Sequence, residues 1–153
     1  MLFRSIVGEV RGEEALDMLQ AMNTGHDGSM TTVHANTPSD AVARIETMAL
    51  MSEVNVTEKA IRRQIASAIS LVVQVARFAD GSRRLTHISE ITGVAADAVM
   101  LQDIFVFEQQ GVSPEGKVIG EFVATGIRPK FADKLRASGV TLPSGIFEPG
   151  ARI

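Results

Sequence analysis

Ile6-Val7-Gly8-Glu9-Val10-Arg11-Gly12 is the stretch on which the reading of this chain turns. Its apolar positions are all β-branched, so it reads as a buried strand. Glu9 then emerges at the C-terminal edge of that strand, where open α/β sheets place their ligands. A carboxylate at that point has two readings. Either it holds a water, or a magnesium-bound water, beside a phosphate, or it merely ends the strand and pairs with Arg11. Spacing alone leaves both open.

The first reading calls for a G-x-x-x-x-G-K-[ST] loop earlier in the chain. No such pattern precedes Glu9, and none occurs downstream. The sequence therefore reads as the second half of an ATP-splitting core, separated from the half that grips the nucleotide. Met1 to Ser5 is expected to be a non-native leader joined to that half.

Outward from the strand, Glu13 to Asn23 repeats Leu16, Leu19 and Met22 at helical spacing, with acidic residues in its first turn. Asp27-Gly28 turns the chain into Ser29 to Val33, whose Thr-Thr-Val content predicts a strand. Thr37-Pro38 starts a helix to about Met51, threonine as cap and proline at the first helical position. Thr57 caps another, in which Ile61, Ile65 and Ile69 recur every four residues. The pattern then changes. Leu71 to Phe78 and Arg83 to Thr92 read as a hairpin about Asp80-Gly81. Val99 to Gln109 and Lys117 to Thr125 read as a second pair about Pro114-Glu115-Gly116. Arg128-Pro129 precedes a short helix to about Ala137 and a Gly- and Pro-containing tail.

Bulk properties restrict the function classes. In 153 residues, 45% are hydrophobic and 22% charged, which suits a folded domain with a real core. A net charge of −3 argues against a surface that coats nucleic acid. The absence of cysteine excludes disulfides and thiolate metal sites. No apolar run reaches the roughly 18 residues that span a bilayer, so a cytoplasmic location is expected.

Besides Glu9, two groups of residues bear chemistry. His26 and His34 flank the expected strand 29–33, and an imidazole at a strand end can bond a phosphate and report its presence. The competing reading of each is a satisfied structural histidine, which is the reading taken for His87. Neither has the partner spacing of a zinc ligand. Arg11 closely follows the acid and Arg44 lies in the helix expected after His34; guanidinium groups can steady charge on a transferring phosphate, or form surface ion pairs.

Taken together, Ile6 to Gly12 and Thr24-Gly25-His26-Asp27-Gly28-Ser29-Met30-Thr31-Thr32-Val33-His34-Ala35-Asn36 resemble the Walker B and histidine-box pair of secretion ATPases, the motors of type II and type IV secretion and type IV pili. Arg62 to Ile69, Leu101-Gln102-Asp103-Ile104-Phe105-Val106-Phe107 and Ala124-Thr125-Gly126-Ile127-Arg128-Pro129 closely resemble the CpaF branch, which powers tight-adherence (Tad/Flp) pili.

The resemblance implies an α/β fold: the C-terminal part of a RecA-like P-loop NTPase core over residues 6–95, with appended antiparallel β-hairpins, a short helix and a tail over 96–153. It implies ATP and Mg2+ as cofactors of the intact enzyme. Glu9 matches the glutamate that activates water and supports magnesium through water, His26 and His34 the γ-phosphate sensors, and Arg11 and Arg44 arginines that reach nucleotide at subunit boundaries. It further implies self-association into a hexamer, inner-membrane platform proteins as partners, no nucleic acid, and a cytoplasmic place at the inner membrane. The family's Walker A lysine and threonine and its aspartate box have no counterpart here. Without that cradle most phosphate contacts are missing, and the chain by itself is expected neither to bind nor to hydrolyse ATP.

Overall fold

The computed structural model describes residues 6–24 and 28–152; the expected leader lies outside them. Four helices and four strands follow in the order α1 (Glu14–Asn23), α2 (Pro38–Leu50), α3 (Glu58–Ala68), β1 (Leu71–Arg77), β2 (Arg83–Ala95), β3 (Ala98–Val112), β4 (Val118–Ala124) and α4 (Phe131–Ala137). The chain divides into two compact units, Met1–Ser70 with Ile91–Leu101, and Leu71–Glu90 with Gln102–Ile153.

The first unit is built on α1, α2 and α3, which pack pairwise against one another. Each helix starts where its sequence chemistry places it. The Thr37 hydroxyl accepts from the Asp40 N–H at 3.0 Å, and Pro38 occupies the first turn, where its missing N–H is no loss. Thr57 caps α3 in the same way through the Ala60 N–H. The periodic residues are the buried ones: Leu16 and Leu19 on α1, Val42, Ile45 and Met48 on α2, Ile61 and Ile65 on α3. Full burial of each such side chain contributes about 1.5–3 kcal/mol. Arg62 ties two helices, reaching Glu46 of α2 at 2.6 Å and Glu58 of its own helix at 2.9 Å.

The stretches expected as strands, 6–12 and 29–33, form no regular strand. They run side by side in parallel, but among the described residues they share one bridge, Ile6 with Met30. Their backbone bonds run from the Val7 N–H to the Met30 carbonyl (2.8 Å) and from the Val10 N–H to the Thr32 carbonyl (3.0 Å). Parallel strands are ordinarily stabilised inside a sheet covered on both faces, and two lone segments form no regular ladder.

The second unit contains the two expected hairpins. β1 pairs with β2 through registers such as Val73 with Ile88, and β3 pairs with β4, Phe107 opposite Phe122. The hairpins are joined into one antiparallel sheet of order β1-β2-β3-β4. The joining turn, Ala96-Asp97, was not legible beforehand. Both residues adopt left-handed conformations, φ 47° and 57°, as a tight two-residue hairpin turn demands, yet neither is the glycine or asparagine that announces such a turn. The sequence boundary between 95 and 96 falls at this turn.

Ile104, Phe105 and Ala124 form the core of this unit, packed with Ile88, Phe122, Ile127, Ile146 and Phe147. The tail is fixed by its backbone: Ala124 donates to the Ala151 carbonyl and Gly150 to that of Ala124, both at 2.9 Å. Gly126, at φ 95°, lies so close to Pro149 that an added Cβ would sit 2.7 Å from its ring. Only glycine fits there.

Candidate functional site

The site is a consequence of period two. Along an extended segment, side chains two apart share a side and their neighbour points the other way. Val10 is therefore 1% exposed, while Glu9 and Arg11 face outward together. The Arg11 guanidinium grips one carboxylate oxygen, Oε2 of Glu9, with Nε at 2.8 Å and a terminal nitrogen at 2.6 Å. The pairing that spacing left open is thus formed.

The parallel segment brings in the next member. Its extended run beyond Thr32 carries His34 to the same place, with Nε2 3.4 Å from the other oxygen, Oε1, of Glu9. Arg44, exposed on α2, adds its positive charge to the field at Glu9. Four of the five candidate residues therefore converge around one carboxylate. The fifth, His26, lies outside the described residues. His87 belongs to β2, with Nδ1 3.1 Å from the Thr86 hydroxyl, and takes no part.

These contacts determine what the carboxylate can do. The Arg11 hydrogen bond, then its charge and those of His34 and Arg44, hold Glu9 below the ordinary carboxylate range against a smaller opposing effect of burial. A carboxyl so lowered gives up its proton more readily than a free one and accepts one less readily. It suits orienting a water, or carrying a magnesium-bound water, better than stripping a proton from one. Glu9 is also the least exposed of the cluster, its side chain 21% accessible against 76% for Arg11 and 82% for His34. The Arg11 guanidinium and the His34 imidazole are thus the exposed groups that can face a ligand from outside.

One participant escaped the sequence reading. Glu14, in the first turn of α1, accepts the backbone N–H of Arg11 at 2.8 Å. Its carboxyl is held below the ordinary range, chiefly by that bond. In sequence it looked like one acid among several at a helix start. The readable signal was its spacing of three from Arg11, the reach of a capping side chain.

The donor set fits a magnesium-bound water only as a single carboxylate ligand, one oxygen held by Arg11 and the other 3.4 Å from His34. It does not by itself fit a triphosphate, because the sequence carries no G-x-x-x-x-G-K-[ST] loop to cradle one. Among the described residues no three His, Cys, Asp or Glu side chains are grouped to hold a metal, and no helix is long and apolar enough to cross a membrane. A groove of about 630 Å3 between α4 and the tail, lined by Arg128, Arg136 and Phe147 among others, contains none of the candidate residues.

Comparison with known proteins places these observations. The family model for type II/IV secretion system protein matches residues 4–113. A Mycobacterium tuberculosis protein provisionally named for conjugal transfer is 43% identical over 86 residues, 56% of this chain and 24% of its own. The conjugal transfer protein TrbB of Rhizobium radiobacter is 38% identical over 90 residues, 59% of this chain and 26% of its own. Among solved structures, the VirB11 ATPase of the Brucella suis type IV secretion system, crystallised with sulphate, aligns with a TM-score of 0.54 at 28% identity, over 57% of this chain and 27% of that one. The chain spans about a quarter of the length of these relatives. The α/β fold class expected from the sequence is the one found.

Proposed function

The chain belongs to the type II/IV secretion system protein family, and from that premise we propose that it is the C-terminal portion of a secretion or pilus-assembly ATPase. The observation that carries this reading is the convergence of Glu9, Arg11, His34 and the charge of Arg44 from three separate segments. In the intact motor Glu9 orients the attacking water and holds water on magnesium. When bound, that ion neutralises phosphate charge. By the resemblance, His34 and His26 would sense the terminal phosphate, and Arg11 and Arg44 would reach a nucleotide at a subunit boundary. The motor works as a hexamer at the cytoplasmic face of the inner membrane, against platform proteins of the secretion or pilus machine, without nucleic acid.

The phosphate cradle is supplied by sequence this chain does not carry. Joined in frame behind the P-loop half of a family relative, it is expected to hydrolyse ATP, and Glu9→Gln is expected to lower turnover about 10²-fold or more. Unchanged turnover in that variant would remove Glu9 from the mechanism. Alone, the chain is expected to show no saturable micromolar binding of a fluorescent ATP analogue; such binding would overturn the division of labour.

Within the family, the stretches Leu101 to Phe107 and Ala124 to Pro129 favour the CpaF-like, Tad/Flp pilus branch. The names of the relatives favour a second reading, a traffic ATPase of type IV secretion. Restoration of pilus assembly or of conjugal transfer by the joined protein decides between them.

A further inference from the structure

We propose that Glu14 is a positioning residue for the Glu9–Arg11 pair, fixing the backbone of Arg11 so that its guanidinium folds back onto Glu9. This goes one step beyond the assignment of Glu9 and rests on that assignment for its functional meaning. The geometry supplies the argument. Arg11 is the last residue of the extended segment and stands two residues before the helical turn begins at Glu13. Its side chain is 76% exposed and has no packing to aim it. A side chain with that freedom keeps one geometry only if its backbone is held or its partner alone suffices.

The backbone is held. The Glu14 carboxylate accepts the Arg11 N–H at 2.8 Å, and the Gly12 carbonyl accepts the Ala15 N–H at 3.1 Å, so the loop between strand and helix is closed from both sides. Gly12 leaves little room in it: an added Cβ would lie 3.2 Å from a Glu14 carboxylate oxygen. Glu14 thus reaches back across the loop and fixes the residue that in turn fixes Glu9. The simpler account is that Glu14 only caps α1. The two accounts differ in what happens to the arginine side chain.

The side-chain Nε–H signal of Arg11 in a 15N-labelled sample of this chain, identified by its loss in Arg11→Lys, reports the pair without any nucleotide. Its exchange with water is slowed by the bond to Glu9. Glu14→Met keeps a straight, helix-favouring side chain and removes the acceptor; it is expected to speed that exchange at least about fivefold. Glu14→Gln keeps an acceptor oxygen and is expected to stay within about twofold of the parent. Ala21→Gly weakens the same helix from an exposed position and is expected to leave the signal unchanged. If Glu14→Met does not alter the exchange, or if Ala21→Gly alters it as much, the positioning role is overturned and Glu14 is a cap. Failure of the joined protein to hydrolyse ATP would instead sink the functional reading and leave this measurement as it stands.

Discussion

In the first unit the polar side chains of interest are exposed and held by neighbours two or three residues away: Glu9 by Arg11, Arg11 by Glu14. In the second, polar groups that are buried or half-buried also join across long stretches of chain. Glu90, 4% exposed within β2, accepts the N–H groups of Lys130 and Phe131 at 3.0 and 2.9 Å and so anchors the start of α4. Asp80 accepts from the Ser82 N–H and hydroxyl beside it and from the Val118 N–H at the head of β4. Arg84 donates to the Val118 carbonyl and lies over the Phe107 ring. Local pairing at the surface leaves side chains able to exchange one partner for a ligand. Long-range pairing in the interior fixes a scaffold, since a buried donor or acceptor stripped of its partner is costly. The contrast matches the proposed division, with chemistry in the first unit and framework in the second.

The contrast can be broken at several points. The largest loss is expected in the helical core: Ile65→Ala removes a fully buried side chain of α3 and should cost about 2–5 kcal/mol, read from urea unfolding followed by helical circular dichroism. A cost under 1 kcal/mol would mean that the three helices are not the packed unit described. Next, Glu90→Ala leaves two N–H groups at the start of α4 without an acceptor. It should cost about 1–3 kcal/mol and raise amide exchange at Lys130 and Phe131 before the rest of the sheet. Uniform exchange across the second unit would show that Glu90 is not a local anchor.

The smallest effect is a pH dependence. Asp80 is lowered to about 2, mainly by the Ser82 hydroxyl and then by the Val118 and Ser82 N–H groups. Its ordinary value is 3.8, so the folded state binds its proton less readily than the unfolded one. The stability it contributes is complete above about pH 4 and is lost as pH falls through 2. Asp80→Asn should flatten the thermal midpoint across that interval relative to the parent. An identical slope in both would show that Asp80 contributes nothing to acid unfolding.

The sequence conveyed those parts of the molecule whose causes are local. Thr37-Pro38 and Thr57 specified two helix starts, because a cap is a bond between near neighbours. Asp80-Gly81 and Pro114-Glu115-Gly116 specified two hairpins through residues suited to their turns. The Ala96-Asp97 turn was missed because its left-handed pair carries no glycine; the lengths of β2 and β3 impose it. The strand character of 6–12 and 29–33 was overestimated, since strand composition says nothing of what covers a sheet. At the site, Glu9 and Arg11 were legible through their spacing. The approach of His34 depends on a parallel alignment that no single segment encodes, and Glu14 drew no notice because a helix start full of acids hides the one that reaches backward.

The hairpin closed at Ala96-Asp97 has one more consequence. Its far end, Ile91–Leu101, belongs with the helices, while the strands leading to it belong with the sheet. The first unit is therefore discontinuous in the gene, and its coding sequence is interrupted by that of the second. No single recombination breakpoint can separate the two units: any segment that carries one whole also carries a piece of the other. A cut at codon 101 carries the first unit whole but takes 71–90 of the second with it, and exchange of the first unit alone between relatives requires breakpoints at all three junctions.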